Sequence, residues 1–235
     1  SERRVQQALE GLQALAYLDY LTQLFNRAKL HDDLEGVFKR SSSGDYGSTL
    51  YHLDIDRFKE INNFLGSEMA DQLLIQLAHR FKRLESRYFK PYRLTGDEFI
   101  FILEHSGSES NSLDCAERLH QTVSNPFLFG DHQVNVNCSI GLVHFPMQAK
   151  VLNDVLKFAE TALLEAKVSD HIITQVFDPE VQKSLNHREE MEDEMRQALN
   201  VGQFELFFQP QIDAQERVFG AEVLLRWKHP QKGFI

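Results

Sequence analysis

Cysteines, long apolar runs and basic residues are all scarce in this chain of 235 residues. Its two cysteines, Cys115 and Cys138, lie far apart and have no metal-ligand neighbours, which argues against a disulfide scaffold or a zinc site. We expect both to be buried free thiols in a reducing compartment. No stretch approaches the ~18 apolar residues of a membrane span, and no signal peptide is evident. We therefore predict a cytoplasmic location without membrane contact, although an upstream domain could anchor a longer parent protein.

The shortage of basic residues restricts the class of partner. The chain has 25 Lys and Arg against 35 Asp and Glu, a formal net charge of −10, whereas binding to a nucleic-acid backbone needs a basic face. We therefore expect no nucleic-acid partner. A free nucleotide remains compatible with this charge, because Mg²⁺ screens phosphates. The sequence lacks a Gly-x-x-x-x-Gly-Lys-Ser/Thr loop and a dinucleotide fingerprint, so a nucleotide would be held through metal and side chains.

The chain does contain carboxylates beside strand-like runs. Asp97 and Glu98 follow Gly96 between two apolar segments, a pattern typical of a β-hairpin with acids at its tip. Asp54 and Asp56 close another β-type run, and we expect the strand to end between them. One such cluster alone predicts only a solvated acidic turn. Two clusters favour a Mg²⁺ site, since Mg²⁺ usually takes one or two carboxylates plus substrate phosphates.

The order of strand and helix patterns predicts the fold class. It reads β-α-β-β-α-β and then a further helix and strand, which indicates an α+β, ferredoxin-like sheet of the palm type with added helices. Residues 134–143 alternate and predict one strand, and Asp178 before Pro179 predicts the start of a helix. We expect a signalling helix at 1–18, a main domain at 19–178, a linker helix at 179–201 and the start of a second domain at 202–235. For 1–18, an amphipathic helix packed on its own domain is an equal alternative.

In combination, the motifs between residues 19 and 235 resemble two families. The first part is similar to the GGDEF family of diguanylate cyclases, and the remainder to the opening of an EAL-family phosphodiesterase, a TIM-barrel-like domain. The GGDEF-like segments are Asp19-x-Leu21-Thr22-x-Leu24-x-Asn26-Arg27, Asp54-Ile55-Asp56-x-Phe58-Lys59-x-Ile61-Asn62, Thr95-Gly96-Asp97-Glu98-Phe99, Ser139-Ile140-Gly141 and Ala166-Lys167. The EAL-like segments are Phe208-Gln209-Pro210-Gln211 and Gly220-Ala221-Glu222-Val223-Leu224-Leu225-Arg226-Trp227.

The resemblance implies an activity, a cofactor and a set of site residues. GGDEF domains make cyclic di-GMP from two GTP molecules held by two facing domains, so a homodimer is the expected active form. The resemblance implies that Mg²⁺ (or Mn²⁺) is held by Asp54, the Ile55 carbonyl, Asp97 and Glu98. The other implied site residues are Asn62 and Asp71 at the guanine edge, Lys59 and Lys167 at the phosphates, and Gly96 beside the substrate, with Asp97, Glu98 and Lys59 as the catalytic set. In the EAL part, Glu222 would bind metal and Arg226 would contact phosphate, but both need partners from the rest of an EAL domain, so we expect no phosphodiesterase activity here.

Departures from the GGDEF pattern leave the function open. Thr95 replaces the first glycine of the motif, which is harmless only if its φ is negative, and Asp170-His171-Ile172 lack the cation that usually follows Lys167. The domain is then either a diguanylate cyclase or a catalytically silent GTP-binding domain that controls an attached EAL phosphodiesterase. A dimerisation platform without nucleotide is a third reading.

Overall fold

The computed structural model describes residues 16–44, 47–104, 109–130, 132–169, 173–214 and 216–234. The chain divides into two compact units, with the boundary between Val181 and Gln182. The helix expected at 1–18 lies almost entirely outside the described residues. Within the described ranges, no helix combines the length and apolar character needed to cross a bilayer.

The first unit alternates helices with strands. Its elements are α1 (Arg27–Ser43), β1 (Ser48–Ile55), α2 (Phe58–Leu65), α3 (Ser67–Lys82), β2 (Phe89–Thr95), β3 (Glu98–Glu104), α4 (Glu109–Ser124), β4 (Phe127–Phe129), β5 (His132–Val134), β6 (Cys138–Phe145), α5 (Leu152–Val168) and β7 (Thr174–Val176). Asn26 caps α1 as its side-chain oxygen accepts hydrogen bonds from the backbone N–H of Ala28 and Lys29. Gly66, at φ 82°, separates α2 from α3.

A five-stranded sheet in the order β2-β3-β1-β6-β7 forms the centre of this unit. β1 pairs antiparallel with both β3 and β6, and β7 adds to β6 in parallel, so the predicted ferredoxin-like sheet with additions is confirmed. β1 is buried along its whole length because both of its faces are covered. Tyr51, Leu53 and Ile55 face the core shared with α3 and α4, whereas Leu50 packs with residues of α1 and α5.

One strand boundary was predicted wrongly. The alternation from residue 134 suggested a single strand, but β6 begins at Cys138 and Val134 belongs to a separate two-stranded hairpin, where it pairs with Phe127. The backbone carbonyl of Asn137 instead accepts a hydrogen bond from the N–H of Asp56, just beyond the end of β1. Apolar alternation continued across this turn because both strands bury side chains in the same core.

The second unit contains a helix and an antiparallel sheet. α6 (Pro179–Asn200) leads into it, and the strands β8 (Phe204–Ile212), β9 (Val218–His229) and β10 (Gly233–Phe234) follow in the order β10-β9-β8. Asp178 accepts a hydrogen bond from the N–H of Glu180, which is the cap that the Asp-Pro pair predicted. The indole of Trp227 donates to the side chain of Gln203, which directly precedes β8, and so links β9 to the segment between α6 and β8.

Candidate functional site

Strand register brings the two acidic clusters together. β1 ends at Ile55, between Asp54 and Asp56 as expected, and Asp54 stands directly opposite Glu98 on β3. The N–H of Ile55 donates to the carbonyl of Asp97, which lies in the hairpin turn. The acids of the β2–β3 hairpin therefore lie at the carboxyl end of β1.

Lys167 neutralises part of this charge. Its ammonium nitrogen, in the last turn of α5, lies 2.7 Å from Oδ1 of Asp54. Burial raises the pKa of the Asp54 carboxyl; Lys167 opposes this shift and the nearby charge of Asp97 adds to it. The pKa of Glu98 is raised for similar reasons, first by burial and then by the charges of Asp54 and Asp97. The site thus concentrates negative charge in a partly buried place, which favours binding of a cation.

An open groove lies beside Asp54. Its volume is about 810 Å³, and its wall runs from the β1–α2 junction across β6 to the end of α5. The lining includes Asp54, Asp56, Arg57, Asn137, Ser139 and Lys167. Asp56 accepts a hydrogen bond of 2.7 Å from the Ser139 hydroxyl, so its carboxylate braces β1 against β6. The two neighbouring aspartates therefore have different surroundings.

The other predicted residues are spread more widely. Asn62 lies on α2 with its buried side-chain oxygen lacking a hydrogen-bond partner, whereas Asp71 on α3 is exposed. Lys59 is exposed at the start of α2, and neither it nor Asn62 or Asp71 lines the groove. Glu222 and Arg226 lie exposed on β9 of the second unit.

The departure at Thr95 is conformationally harmless. Thr95 is the last residue of β2 and is extended, and the turn takes its positive φ at Gly96, at 52°. A β-branched residue is favourable in extended backbone, whereas the left-handed conformation suits glycine. The TGDEF sequence therefore supports the same type of hairpin tip that a glycine pair would.

Two residues that sequence reasoning did not assign to the site hold the hairpin in place. The guanidinium of Arg93 donates to the Gly96 carbonyl through Nε and Nη2, at 3.1 and 2.7 Å, and to Oδ1 of Asp19 through Nη1, at 2.7 Å. Asp19 in turn accepts hydrogen bonds from the backbone and hydroxyl of Thr22. The position of Arg93 directly before the TGDEF motif, and that of Asp19 and Thr22 in the entry motif, were the only sequence signals of this link.

Gly141 allows α5 to approach the sheet closely. A Cβ at this position would lie 2.1 Å from the backbone nitrogen of Leu163 and 2.3 Å from the carbonyl oxygen of Ala159. No side chain fits at that separation. Because Lys167 is four residues beyond Leu163 on the same helix, this contact helps to place the base of its side chain near Asp54.

His52 lies under the site, two residues before Asp54 on β1. It is 6% exposed, its cross-strand neighbour is Gly141, and neither ring nitrogen has a hydrogen-bond partner. Its Nε2 lies 4.0 Å from a carboxylate oxygen of Glu98, which is too long for a hydrogen bond. Burial, with the ammonium of Lys167 adding to it, lowers the pKa of His52 from 6.5 to about 4.

We predict that His52→Leu makes stability less sensitive to acid. The folded chain binds fewer protons at His52 than the unfolded chain, so this residue's contribution is complete above pH 6.5 and is lost as pH falls towards 4. The gap between the two pKa values corresponds to about 3 kcal/mol. Urea unfolding of the metal-free protein at several pH values in this window should give a steeper decline in the free energy of unfolding for the wild type. Parallel curves for the two proteins would contradict the prediction.

The donors at the end of β1 suit a hard divalent cation. Within the described ranges, no three His, Cys, Asp or Glu side chains are grouped so that they could hold a metal by themselves. The carboxylates of Asp54 and Asp97 and the carbonyl of Ile55 are oxygen donors, and Mg²⁺ commonly completes such a set with water and substrate phosphates. Burial raises the pKa values of Asp54 and Glu98 most, and the repulsion between neighbouring carboxylates, which adds to the rise, is what a bound cation would relieve. The residues present therefore fit Mg²⁺ or Mn²⁺.

The comparisons with known proteins identify the class that this sheet and acidic hairpin define. Residues 16–171 match the family described as "Diguanylate cyclase, GGDEF domain", and residues 192–235 match the EAL domain. The chain therefore belongs to the GGDEF-domain family, and its last 44 residues are similar to an EAL domain.

Similar curated proteins and a solved structure support this assignment. The chain is 31% identical over 222 residues to the bifunctional diguanylate cyclase/cyclic di-GMP phosphodiesterase MucR of Pseudomonas aeruginosa, covering 94% of this chain and 32% of MucR. It is 29% identical over 234 residues to the cyclic di-GMP phosphodiesterase PdeR of Escherichia coli, covering 100% of this chain and 34% of PdeR. The chain thus spans about a third of these curated relatives. Its fold matches the GGDEF domain of TpbB (YfiN) from P. aeruginosa with a TM-score of 0.69 and 26% identity, covering 72% of this chain and 99% of that one.

Proposed function

We propose that the first unit binds Mg²⁺-GTP at the carboxyl end of β1 and, as a homodimer, condenses two GTP molecules to cyclic di-GMP within a GGDEF–EAL signalling protein. The observation that carries this proposal is the meeting of Asp54 with the acidic hairpin turn beside an open groove, with the Lys167 ammonium at the same place. Family membership and the names of MucR and PdeR support cyclic di-GMP as the signalling molecule.

The residues have distinct roles in this proposal. Asp54, Asp97 and the Ile55 carbonyl would hold the cation, which supplies charge neutralisation of the triphosphate when bound. The buried oxygen of Asn62 lacks a partner and would accept a hydrogen bond from a guanine N–H group, with exposed Asp71 accepting another. Lys59 and Lys167 would balance phosphate charge.

In the reaction, the 3′-oxygen of one nucleotide forms a bond to the α-phosphorus of the other, and the bond from that phosphorus to the oxygen bridging to the β-phosphate breaks. Pyrophosphate leaves, and Glu98 accepts the proton of the attacking hydroxyl. Its raised pKa makes Glu98 a better proton acceptor than an ordinary surface carboxylate. A second identical step closes the ring. Each domain presents one nucleotide, so the reaction needs two copies of the chain.

A second function is favoured by the phosphate side of the site. Lys167 already pairs with Asp54, and the sequence after it lacks the usual second cation. A domain that binds GTP without condensing it would then control an attached EAL phosphodiesterase. Weak phosphate neutralisation slows phosphoryl transfer more than it weakens binding, because transfer depends on charge stabilisation in the transition state.

Product analysis distinguishes these functions. We would incubate the purified chain with GTP and Mg²⁺ and measure cyclic di-GMP and pyrophosphate by chromatography, with an Asp97→Asn variant as the inactive control. Both products from the wild type alone indicate a cyclase. Stabilisation by GTP without products indicates the silent domain; ligand at ~100 times its dissociation constant adds about 2.7 kcal/mol. If GTP gives no products and does not stabilise the chain, both proposed functions are wrong.

A matched pair of substitutions tests the metal assignment. We predict that Asp54→Asn weakens Mg²⁺-GTP binding by ~10-fold or more, equivalent to about 1.4 kcal/mol, whereas Asp56→Asn changes it by less than ~3-fold. Asparagine keeps an oxygen that can accept the Ser139 hydrogen bond, so Asp56→Asn removes only the charge. Isothermal titration of both variants provides the measurement. Equal losses would contradict the assignment of Asp54 as the metal ligand.

A further inference from the structure

The ion pair between Lys167 and Asp54 occupies an oxygen that the proposed cation needs. The Asp54 side chain is only 10% exposed and that of Lys167 is 37% exposed, so a half-buried lysine reaches a largely buried carboxylate. Among the described residues, Lys167 is the only cation within ion-pair distance of Asp54. Both residues of the pair line the groove.

The charges around the pair explain why the ammonium stays there. The carboxylates of Asp97, Glu98 and Asp56 lie close enough to that of Asp54 to interact with it electrostatically. Without a cation, these negative charges would repel one another. Lysine suits such a place since its four-carbon stem lets the ammonium move while the helix stays fixed. The close packing of α5 on Gly141 fixes the helix, which leaves the side chain as the moving part.

We propose that Lys167 is an exchangeable counter-ion, which neutralises Asp54 in the metal-free site and transfers to a nucleotide phosphate when metal and nucleotide bind together. This inference rests on the proposed function. The exchange makes the site selective for the metal–nucleotide complex over free metal. Lys167 then has a role in metal binding in addition to any contact with phosphate.

The consequence is a coupling between the two ligands. Free Mg²⁺ must displace the ammonium from Asp54 and leave it beside the bound metal ion, which repels it, with no phosphate to accept it. Mg²⁺-GTP supplies phosphate oxygens that accept the displaced ammonium, so the same displacement is compensated. Metal and nucleotide therefore raise each other's affinity, and such coupling is commonly 5- to 150-fold (an order-of-magnitude range).

Lys167→Met tests the exchange because methionine keeps the length of the stem and removes the charge. Isothermal titration with Mn²⁺ alone, and separately with Mg²⁺ and a non-hydrolysable GTP analogue, measures both affinities without requiring turnover. We expect free-metal affinity to rise by ~10-fold and affinity for the metal–nucleotide complex to fall by ~10-fold, within the usual range of coupling. Lys157→Met, an exposed position earlier on α5, is the matched control and should change neither affinity.

The opposite signs separate this role from simpler ones. A lysine that only contacts phosphate would leave free-metal affinity unchanged, and a lysine that only stabilises the fold would lower both; either result overturns the counter-ion role. Lys167→Arg should restore the wild-type pattern in part, since the charge is retained. If wild type binds Mn²⁺ but no nucleotide, the proposed function fails, while the change in free-metal affinity still decides the role of Lys167. Absence of Mn²⁺ binding in both proteins overturns the inference.

Discussion

Gly141→Ala should destabilise the first unit by about 3 kcal/mol or more, the largest effect expected from adding one carbon at any glycine that the structure describes. The new Cβ would lie 2.1 Å from the Leu163 nitrogen and 2.3 Å from the Ala159 carbonyl oxygen. Both are helix backbone atoms, so no side-chain rotation relieves the contact. The smaller chain entropy of unfolded alanine offsets less than ~1 kcal/mol of this loss.

The substitution should also disturb the site at a distance. To accept the methyl group, α5 must move away from β6, and the base of the Lys167 side chain would move away from the site with it. We therefore expect weaker Mg²⁺-GTP binding even at temperatures where the variant is folded. Urea unfolding gives the stability change, and titration of the folded variant gives the affinity.

Gly47→Ala provides the matched control. Gly47 directly precedes β1, and a Cβ there would meet the Phe145 carbonyl oxygen of the same strand β6 at 3.6 Å, an ordinary contact. We expect its stability to stay within ~0.5 kcal/mol of the wild type. If the two alanine variants are equally stable, close packing of α5 is not what Gly141 provides.

Local sequence signals predicted the elements that this argument uses. β1 and the hairpin strands were predictable because apolar runs were bounded by turn residues, and Gly96 marked the turn. Asn26 and the Asp178-Pro179 pair predicted helix starts because caps depend on neighbouring backbone groups. The two acidic clusters were expected to share a Mg²⁺ site because of their residue types and the family resemblance, but their register across β1 and β3 is a long-range property that no local signal gives.

Contacts between distant segments could not be predicted in the same way. Gly141 was noticed as part of a motif. The reason that only glycine fits there is the backbone of a helix more than 15 residues later in the chain. The partnerless ring of His52 likewise depends on strands β3 and β6 and on α5 covering it. Alternation through residues 134–143 predicted one strand where there are two, because β5 and β6 both contribute side chains to the same core.

Arg93→Met should lower the free energy of unfolding by about 3 kcal/mol, the lower end of the range for breaking a buried ion pair. Arg93 is 8% exposed, and its loss would leave the Asp19 carboxylate, 18% exposed, without its guanidinium partner. Asp19 would keep its Thr22 hydrogen bonds, which is why we expect the lower end. Methionine preserves most of the stem packing, so the change reports mainly the lost charge and hydrogen bonds.

The ionisation of Asp19 supports a favourable pair. Burial alone would raise the pKa of this carboxyl, but hydrogen bonds from Thr22 and Arg93 outweigh burial and hold the pKa below its usual value. A double-mutant cycle with Asp19→Asn should therefore give a coupling of about 2 kcal/mol between the two positions. Lys90→Met on the same strand is the control. Its contact with Asp33 is 3.6 Å and partly exposed, so we expect less than ~1 kcal/mol.

Arg93→Met should also weaken ligand binding at the site, because the buried Arg93 guanidinium holds the hairpin turn in place. Two of its three side-chain hydrogen bonds end on the Gly96 carbonyl, next to Asp97. Without them, the turn that carries Asp97 would be held by the pairing of β2 with β3 and by the backbone bond to Ile55. We expect Mg²⁺-GTP affinity to fall by ~10-fold in Arg93→Met and to remain unchanged in Lys90→Met. Loss of stability without loss of affinity would mean that β3 alone positions the acids, and that the link from the entry motif to the hairpin serves folding only.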